Sequence, residues 1–460
     1  MTIKNYDTIL SSGKEKLQQI FDNYMSEIEF MAETDQLNIN SAEEHMLKVV
    51  KMFKKFLVLL MGNLFSNVDM NEDNKINKEG VKYKLLKKNS RISVLTLLGK
   101  IDIERDYYFS YLKGEGFGET DELFEITKGH LMTNGITETI SYAAQKDGSF
   151  KEASESIEKY LDLEINSTTI QKISEGVGET VFNEDKDEAH RILSNNENIE
   201  KSCELNVFRE KAKKLFVFAD GSMICMNEKN LWKEIKLGLV VNNENVEYIN
   251  MDNMKISERE YVSYLGNKDE FKKLLYSAVL KAGYYDETEI ICIGDGAKWI
   301  WNMFEELFPN CIKILDYYHF DENLNKYAKY VFQNDEIRVK KWTTKIKELA
   351  FENRSNDIIK EIEKIDIDLS NKPSDIPNLL TYISEKKDLI KYGYFKEKNY
   401  IIGSGAIESG NKLVLQRRLK QAGMHWSSDG AQYIAALRTK YKSKLWNKVI
   451  YTIENIYKAG

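Results

Sequence analysis

Three aspartates lie where predicted strands end in the middle of the chain. Asp220 lies near the end of the run LFVFADGSMI, Asp295 follows IICIG, and Asp316 follows IKIL. Carboxylates at the ends of neighbouring strands converge on one crevice, which is where open α/β sheets bind ligands. Each aspartate taken singly is also a common turn residue, because its side chain hydrogen-bonds to nearby backbone. Three in succession favour a shared site over three separate turns.

A fourth carboxylate, Glu408, follows in the segment GSGAIESG at residues 403–410. We expect it at the start of a helix, where a glutamate is also an ordinary complement to the helix dipole. Clustered carboxylates repel one another, a divalent cation relieves the repulsion, and hard oxygen ligands select Mg²⁺ or Mn²⁺. Two such ions about 4 Å apart would activate water or a 3′-hydroxyl and stabilise the leaving oxygen of a phosphodiester.

A strongly basic segment follows Glu408. Between residues 411 and 446 eight lysines and arginines stand against a single acid, Asp429. Such a surface is typical of proteins that track phosphates or stack on bases, although a solvated basic helix has the same composition. The residues that we expect to contact DNA are Lys412, Arg417, Arg418, Lys420, His425 and Trp426. The tryptophan either stacks on an unpaired or flipped base or caps the core.

The composition of the whole chain limits the possible functions. Its 460 residues favour two or three domains. The formal net charge of −7 argues against a polyanionic partner, but the basic segment shows that this sum hides a local surface. None of the four cysteines has a C-x-x-C spacing, which excludes a zinc ribbon or a thioredoxin-type motif. Because no apolar run approaches the roughly 20 residues that span a bilayer and no secretory signal is present, we expect a cytoplasmic protein without a membrane segment.

The first 200 residues have a mainly helical pattern. Apolar residues recur at three- and four-residue steps through residues 1–70. Strand-like stretches on both sides of Gly99 then predict a β-hairpin. Within 150–177 an amphipathic helix and a short turn precede the run STT at 167–169, which we expect to cap a second helix. This spacing fits a helix-turn-helix or a plain structural pair, and the second helix has only one cation, Lys172.

From residue 213 the pattern changes to alternating strands and helices. Three strands are predicted at 215–224, 234–241 and 246–251, with connections short enough for antiparallel pairing. The elements that follow are a helix at 258–283, a strand at 290–295, a helix at 297–308 and a strand at 312–320. This order predicts a mixed α/β sheet of RNase H-like type. Residues 321–400 are again mainly helical and too long for a connection, so they are interpreted as an insertion.

The predicted fold class is therefore α+β and multidomain. It combines an RNase H-like mixed α/β catalytic core, an all-helical insertion and a largely helical N-terminal region that contains a β-hairpin. The predicted regions are an N-terminal helical region at 1–80, a β-hairpin plus helical region at 81–205, the first part of the core at 206–325, the insertion at 326–400, and the final basic helices with the last carboxylate at 401–460.

Four short motifs, taken in order, resemble one family of proteins. They are Ala219-Asp220-Gly221, Gly294-Asp295-Gly296-Ala297, Asp316-Tyr317-Tyr318-His319 and Gly405-Ala406-Ile407-Glu408-Ser409. Together they resemble bacterial insertion-sequence transposases, more narrowly the Mutator-related DDE superfamily and the ISLre-type group within it. The run QRRLKQAGMHWSSDGAQYIAALR at 416–438 is similar to the C-terminal region of that group. The resemblance covers most of the chain, and the four-part order is more specific than any single motif.

The resemblance implies a DNA transposase that cuts and joins strands at the ends of an insertion sequence. The catalytic residues and ligands of two Mg²⁺ or Mn²⁺ ions that it implies are Asp220, Asp295 and Glu408. Asp316 and His319 match the superfamily's (C/D)-x-x-H signature, which supports the metal site or fixes the last strand. Asp316 competes with Asp295 as second metal ligand, and we favour Asp295 because the two small residues after it let the next helix start close to the ion.

The implied partners are the terminal inverted repeats of the element and its target DNA, bound by a homo-oligomer. Two other functions fit the same residues: a non-catalytic DNA-binding protein derived from a transposase, and a structure-specific nuclease without strand transfer. We further expect a segregated surface, negative at the helices of 121–200 and positive around the crevice.

Overall fold

In the computed structural model the chain has a mixed α+β fold, as predicted. The structure describes residues 5–68, 75–121, 123–124, 126, 131–194, 211–229, 231–249, 254–365, 373–374 and 376–456. The chain divides into two compact units, one of Met1–Ser174 with Ile450–Gly460 and one of Glu175–Val449. The division into five regions stays a prediction, and its boundary between 205 and 206 lies outside the described residues.

Two long helices open the first unit, as their apolar spacing predicts. They are α1 (Tyr6–Glu33) and α2 (Ile39–Ser66). The rings of Tyr24 and His45 stack with centroids 5.2 Å apart, and Gly13 lies against Leu60. Earlier residues of α1 therefore meet later residues of α2, and the two helices form an antiparallel hairpin.

A four-stranded antiparallel sheet follows, in the order β1-β2-β3-β4. Its strands are β1 (Lys75–Lys78), β2 (Val81–Thr96), β3 (Gly99–Ser110) and β4 (Glu115–Gly118). The predicted hairpin is the pair β2–β3, which turns at Gly99 with a φ of 140°, a conformation that glycine adopts without strain. One face is apolar, because Tyr83 and Tyr108 are buried there and both rings pack on Phe117. The short strands β1 and β4 were not predicted.

Three helices follow the sheet. They are α3 (Asn134–Lys146), α4 (Phe150–Leu161) and α5 (Ser167–Ser194), and the last of them passes from the first unit into the second. Ile140, Ile157 and Ile170 belong to one buried cluster that holds the three helices together. The cap of α5 is Asn166, and not residues 167–169 as expected, because its Oδ1 accepts the Thr169 N–H at 2.8 Å. DNA contact by the pair α4–α5 stays a prediction.

A five-stranded mixed sheet forms the centre of the second unit. The strands of this unit are β5 (Lys214–Cys225), β6 (Trp232–Asn242), β7 (Val246–Tyr248), β8 (Met254–Ile256), β9 (Glu260–Leu265), β10 (Glu289–Gly294) and β11 (Ile312–Leu315). Five of them pair in the order β11-β10-β5-β6-β9, while β7 and β8 form a separate ribbon. Strands β5, β6 and β9 are antiparallel, and β10 and β11 run parallel to β5. Helices α6 (Lys268–Lys281) and α7 (Lys298–Leu307) make the parallel connections.

The third strand of this sheet was misplaced by the prediction. It was expected at 246–251, of which residues 250 and 251 lie outside the described part, but it is β9, inside the helix expected at 258–283. Tyr261 and Ser263 alternate into the core, whereas β7 is half-buried or exposed and pairs only with β8. Burial therefore selects the later segment.

The last strand is shorter than predicted. It was expected at 312–320, but β11 ends at Leu315. The side chain of Asp316 accepts the His319 N–H at 2.8 Å and starts helix α8 (Tyr317–Val331). An aspartate is a strong N-cap, so the residues after it become helical.

Helices follow β11, as predicted. After α8 they are α9 (Glu336–Phe351), α10 (Ser355–Glu363), α11 (Leu379–Lys386) and α12 (Tyr392–Glu397). The final elements are α13 (Gly405–Gly410), a π-helical segment (Asn411–Gln416), α14 (Arg417–Leu419), α15 (Ser428–Lys442) and α16 (Trp446–Ile456). Among the described residues, none of the helices combines the length and apolar character needed to cross a bilayer.

Buried ion pairs connect the second half of α5 to the rest of the second unit. Lys281 contacts Glu188 at 3.0 Å and Glu260 at 3.1 Å. Burial opposes its charge, but the two carboxylates outweigh burial and raise the pKa of Lys281. Lys440, 4% exposed, contacts Asp185 at 2.6 Å. Loss of one partner would leave a charge without compensation inside the protein.

We predict that Lys440→Ala lowers the free energy of unfolding of the second unit by about 2–3 kcal/mol. All six tryptophans lie within Glu175–Val449, so tryptophan fluorescence in urea reports on this unit. The matched control is Lys326→Ala, because the pair of Lys326 and Glu322 is exposed; its effect should stay below about 0.5 kcal/mol. Equal effects of the two variants would contradict a structural role for the buried pair.

Candidate active site

Asp220 comes from the central strand β5, whose residues 215–219 are all buried. Its Oδ1 accepts the Gly221 N–H at 2.7 Å, and its Oδ2 accepts a hydrogen bond from the Asn411 side chain. Burial is the main reason why the pKa of Asp220 is raised, and the charge of Asp295 adds to it, against the opposing effect of the hydrogen bonds. The carboxylate is therefore held in place but costly to ionise.

Asp295 follows the neighbouring strand β10. Ile293 pairs with Phe218 in the parallel register of β10 and β5. Asp295 and Asp220 each lie two residues further on, which explains why their charges interact. The Ala297 N–H donates to Asp295 Oδ1 at 2.8 Å, so the loop before α7 fixes this side chain.

Asp316, which follows β11, has a fully buried side chain. One oxygen accepts the Ser404 N–H, and the other accepts the N–H of His319 at 2.8 Å and lies 2.5 Å from its Nδ1. Burial disfavours the charged carboxylate, but these hydrogen bonds outweigh burial and lower its pKa. Asp316 therefore joins the start of α8 to the segment that leads to Glu408.

His319 is half-buried among carboxylates. The hydrogen bond with Asp316 is the largest cause of a pKa raised to about 9, and the charges of Asp295 and Glu408 add to it against the effect of burial. The imidazole is therefore protonated at neutral pH in this arrangement, which balances part of the local negative charge.

Glu408 lies on α13, as predicted, with an exposed side chain. Ser404 Oγ donates to its Oε1 at 2.5 Å. Ligand atoms of Asp316, His319 and Glu408 lie within 4.8 Å of one another. An open groove of about 960 Å³ is lined by several of the groups described, among them Asp220, His319, Glu408, Asn411, Lys412 and Lys420.

The predicted DNA contacts divide into exposed and buried groups. Lys412 and Lys420 are exposed and line the groove, and Arg417 is exposed beside them. Arg418 is fully buried, with its guanidinium carbon 5.5 Å from the centre of the Trp426 ring. A buried guanidinium cannot meet a phosphate in this conformation, so the expected contact by Arg418 is not supported.

The two residues after Met424 also differ in exposure. His425 is exposed, and its Nδ1 lies 3.2 Å from Met226 O. Trp426 is 5% exposed and donates from Nε1 to Leu419 O at 3.0 Å. Of the two alternatives for Trp426, the structure therefore favours a core residue over a base-stacking one.

The basic surface is smaller than the composition of 411–446 indicates. Besides Arg418, two further cations of this segment are buried: Arg438, which donates to Leu413 O, and Lys440, which contacts Asp185. These three side chains interact with groups inside the protein and are not available at its surface. The exposed cations of this segment are therefore Lys412, Arg417, Lys420 and Lys444, of which Lys412 and Lys420 line the groove.

Two residues of the site were missed by sequence reasoning. Ser404 donates from its backbone to Asp316 and from its side chain to Glu408. Asn411, 4% exposed, holds Asp220 and begins the π-helical segment, an element often found at functional sites. Their position in the sequence could have identified them, because both lie close to Glu408 in a short polar segment between apolar ones.

The fold and the site together define an α+β protein with a groove lined by carboxylates. The sequence model of the Uncharacterised protein family (UPF0236) matches residues 33–452, and the chain belongs to this family. It is 23% identical over 376 residues to "UPF0236 protein TTE0610/TTE0881/TTE1053/TTE2432" of Caldanaerobacter subterraneus subsp. tengcongensis, an alignment that covers 78% of this chain and 69% of the relative. Another protein of that organism, whose name joins eleven locus labels beginning with TTE0033, is 24% identical over 365 residues, with 78% and 69% covered.

We predict that Asp316→Asn lowers the pKa of His319 from about 9 toward its ordinary value of 6.5, because it removes the largest cause of the increase. The raised pKa stabilises the folded protein fully below about pH 6.5, and this contribution is lost as the pH rises through 9. NMR of ring-labelled histidine measures the midpoint, and His319→Gln identifies the signal among the five histidines.

The matched control is Asp335→Asn, the same change at the N-cap of α9, which should leave the His319 midpoint near 9. An unchanged midpoint in Asp316→Asn would show that Asp316 does not set the charge of His319.

Proposed function

We propose that this chain is a DDE-type DNA transposase that cuts and joins strands at the ends of its own element. The observation that carries the proposal is the convergence of Asp220, Asp295 and Glu408 from three distant segments. The charge of Asp295 raises the pKa of Asp220, and the charges of Asp295 and Glu408 raise that of His319. Asp220, His319 and Glu408 also line one groove.

The order of the strands supports an RNase H-like core. The meander β5-β6-β9 is followed by β10 and β11 on the other side of β5, which gives the order β11-β10-β5-β6-β9. Helices α8 to α12 then separate β11 from Glu408. A sheet of this order, interrupted by helices before the last carboxylate, is what the sequence resemblance implies.

The donor set suits Mg²⁺ or Mn²⁺. Asp220, Asp295 and Glu408 offer hard oxygen ligands of the kind these cations prefer. Their crowding is costly without a cation, since burial and Asp295 raise the pKa of Asp220 and nearby carboxylates raise that of His319 to about 9. Two bound ions would supply an activated water or 3′-hydroxyl and stabilise the leaving oxygen of a phosphodiester.

The surrounding residues keep the carboxylates in place. Asn411 donates to Asp220, and Ser404 donates to Glu408. The side chain of Asp316 is fully buried and accepts hydrogen bonds from His319 and Ser404, which favours a positioning role for it. Asp295 is only half-buried, like Asp220, and is therefore the proposed metal ligand. Lys412 and Lys420 would face the DNA phosphates, because both line the groove and are exposed.

The names of the relatives lend independent support to a mobile element. One name joins eleven locus labels of a single organism. Many loci that encode one protein are the trace that an element leaves when it copies itself within a genome. This chain is related to that protein, and we propose the same origin for it. A mobile element agrees with the phosphodiester chemistry proposed from the groove.

We predict that Asp220→Asn and Glu408→Gln each lower Mg²⁺-dependent cleavage of DNA that contains the element ends by on the order of 100- to 1,000-fold or more. DNA binding, measured by gel shift without metal, should persist. Asp269→Asn, at an exposed carboxylate of α6, is the matched control and should cut at the normal rate.

The same assay separates the proposed transposase from a nuclease when precut ends are incubated with supercoiled plasmid. Joined products support strand transfer, and nicks without joining indicate a nuclease. Full cleavage by Asp220→Asn would rule out the proposed carboxylate set, and no cleavage by the unaltered chain would favour a DNA-binding protein without catalysis.

A further prediction distinguishes Asp295 from Asp316. If Asp295 is the second ligand, Asp295→Asn lowers the number of bound Mn²⁺ ions from two to one, while Asp316→Asn keeps two at about 10- to 100-fold weaker affinity, as expected for a supporting group. Electron paramagnetic resonance of free Mn²⁺ counts the bound ions. If instead Asp316→Asn lowers the number of bound ions to one and Asp295→Asn keeps two, Asp316 is the second ligand.

A further inference from the structure

A second basic surface lies in the first unit, on strands β1 and β2. Residues 75–91 contain one acid, Glu79, against seven cations: Lys75, Lys78, Lys82, Lys84, Lys87, Lys88 and Arg91. Arg91 is paired with Asp102, and Lys78 lies 5.0 Å from the centre of the Phe117 ring. Among the described residues, no carboxylate lies within ion-pair distance of the other five cations.

The pleat of the sheet places several of these lysines on one face. Lys75 pairs directly with Lys84, and Asn77 pairs with Lys82. Residues opposite one another in an antiparallel pair share a face, and so do residues two apart on a strand. Tyr83, between the two lysines of β2, points to the buried face. Lys75, Lys82 and Lys84 therefore project together from the exposed face.

Facing lysines are unfavourable unless something compensates their charge. Like charges directly opposite on neighbouring strands destabilise a sheet, and here Lys75 and Lys84 occupy such a pair. A bound polyanion would remove this repulsion and release its own counterions at the same time.

Irregular pairing extends the basic surface along β2. The register between β2 and β3 shifts between Leu85 and Lys87 and again between Lys87 and Ser90. Lys87 and Lys88 are both exposed there, although they are neighbours that a regular strand would direct to opposite faces. Asn89 has a φ of 48°, and its N–H donates to Asp106 Oδ1 at 2.9 Å, which fixes the irregular turn of the strand.

We propose that β1 and β2 form a basic ribbon, defined by Lys75, Lys82, Lys84, Lys87 and Lys88, that binds the phosphate backbone of duplex DNA. The proposal rests on the proposed function and places a DNA contact outside the carboxylate groove. A two-stranded ribbon fits the major groove or lies along the backbone of duplex DNA. The first turns of α5, which would be the recognition helix if the pair α4–α5 is a helix-turn-helix, offer only Lys172, so the basic ribbon is the better electrostatic match.

The test uses the full chain with Asp220→Asn, in EDTA, and a fluorescein-labelled duplex of the element end. Fluorescence anisotropy is measured over a range of salt concentrations. Adding Lys82→Glu, Lys84→Glu and Lys88→Glu should weaken binding at least tenfold and make the salt slope of log K shallower by about 3, if each lysine meets one phosphate.

The charge-matched control carries Lys14→Glu, Lys16→Glu and Lys48→Glu at exposed positions of α1 and α2, and it should bind like the parent chain. A further variant, Lys172→Glu, tests the recognition helix. If glutamates on the sheet prevent folding, judged by circular dichroism, the same three positions are changed to glutamine, and the salt slope should fall by the same amount.

Unchanged affinity and slope in the ribbon variant would overturn the proposal, as would equal competition by polyglutamate, which would indicate an acidic protein as the ligand. Cleavage by the unaltered chain is scored separately with Mg²⁺. Lost binding in the ribbon variant together with no cleavage by the unaltered chain would keep the basic ribbon and reject the transposase chemistry. Cleavage by the unaltered chain together with normal binding by the ribbon variant would keep the transposase chemistry and reject the basic ribbon.

Discussion

The buried carboxylate of Asp316 holds the candidate site together. It ends β11, caps α8, and accepts hydrogen bonds from His319 and from Ser404 N–H, 88 residues later in the chain. The Asp316 N–H itself donates to Gly294 O, next to Asp295. One ionised side chain thus fixes the ends of two strands, the start of a helix and the segment that leads to Glu408. Without it, the backbone N–H groups of His319 and Ser404 and the imidazole of His319 would lose their acceptor.

The neighbouring carboxyl groups of Asp220 and Asp316 have pKa values shifted in opposite directions. Asp220, which accepts hydrogen bonds from Gly221 and Asn411, has a raised pKa, mainly through burial and also through Asp295. Asp316 has three hydrogen-bond donors, two from His319 and one from Ser404, and its pKa is lowered despite burial. The hydrogen bond with Asp316 is the largest cause of the raised pKa of His319, which is about 9. Crowded carboxylates are stabilised by positive charge, which is the physical basis for the divalent cations proposed above.

Sequence reasoning located the groups of the site better than it located the elements around them. Buried runs such as IICIG and the Gly/Ser segment around Glu408 are local signals, so β10 and α13 were found where they were expected. The end of β11 was placed five residues too late, and Asp220 lies inside β5 and not at its end. The third strand was placed too early, because the apolar pattern of 246–251 resembles a strand and only tertiary burial distinguishes it from β9. The burial of Arg418 was not predicted, and that of Trp426 was one of two alternatives, since composition records charge but not whether a guanidinium stacks on an indole inside the protein.

The long separation between Asp316 and Ser404 has a consequence for synthesis of the chain. Strands β5, β10 and β11 emerge from the ribosome well before residues 401–410, so the aspartates exist in the growing chain without their last partners. Contacts between distant segments form late, after the loop between them closes. A chain that stops short of residue 401 has neither the donor for Asp316 nor the carboxylate of Glu408. Translation that stops before residue 401 therefore yields fragments that lack one of the four carboxylates of the groove and the backbone donor to Asp316.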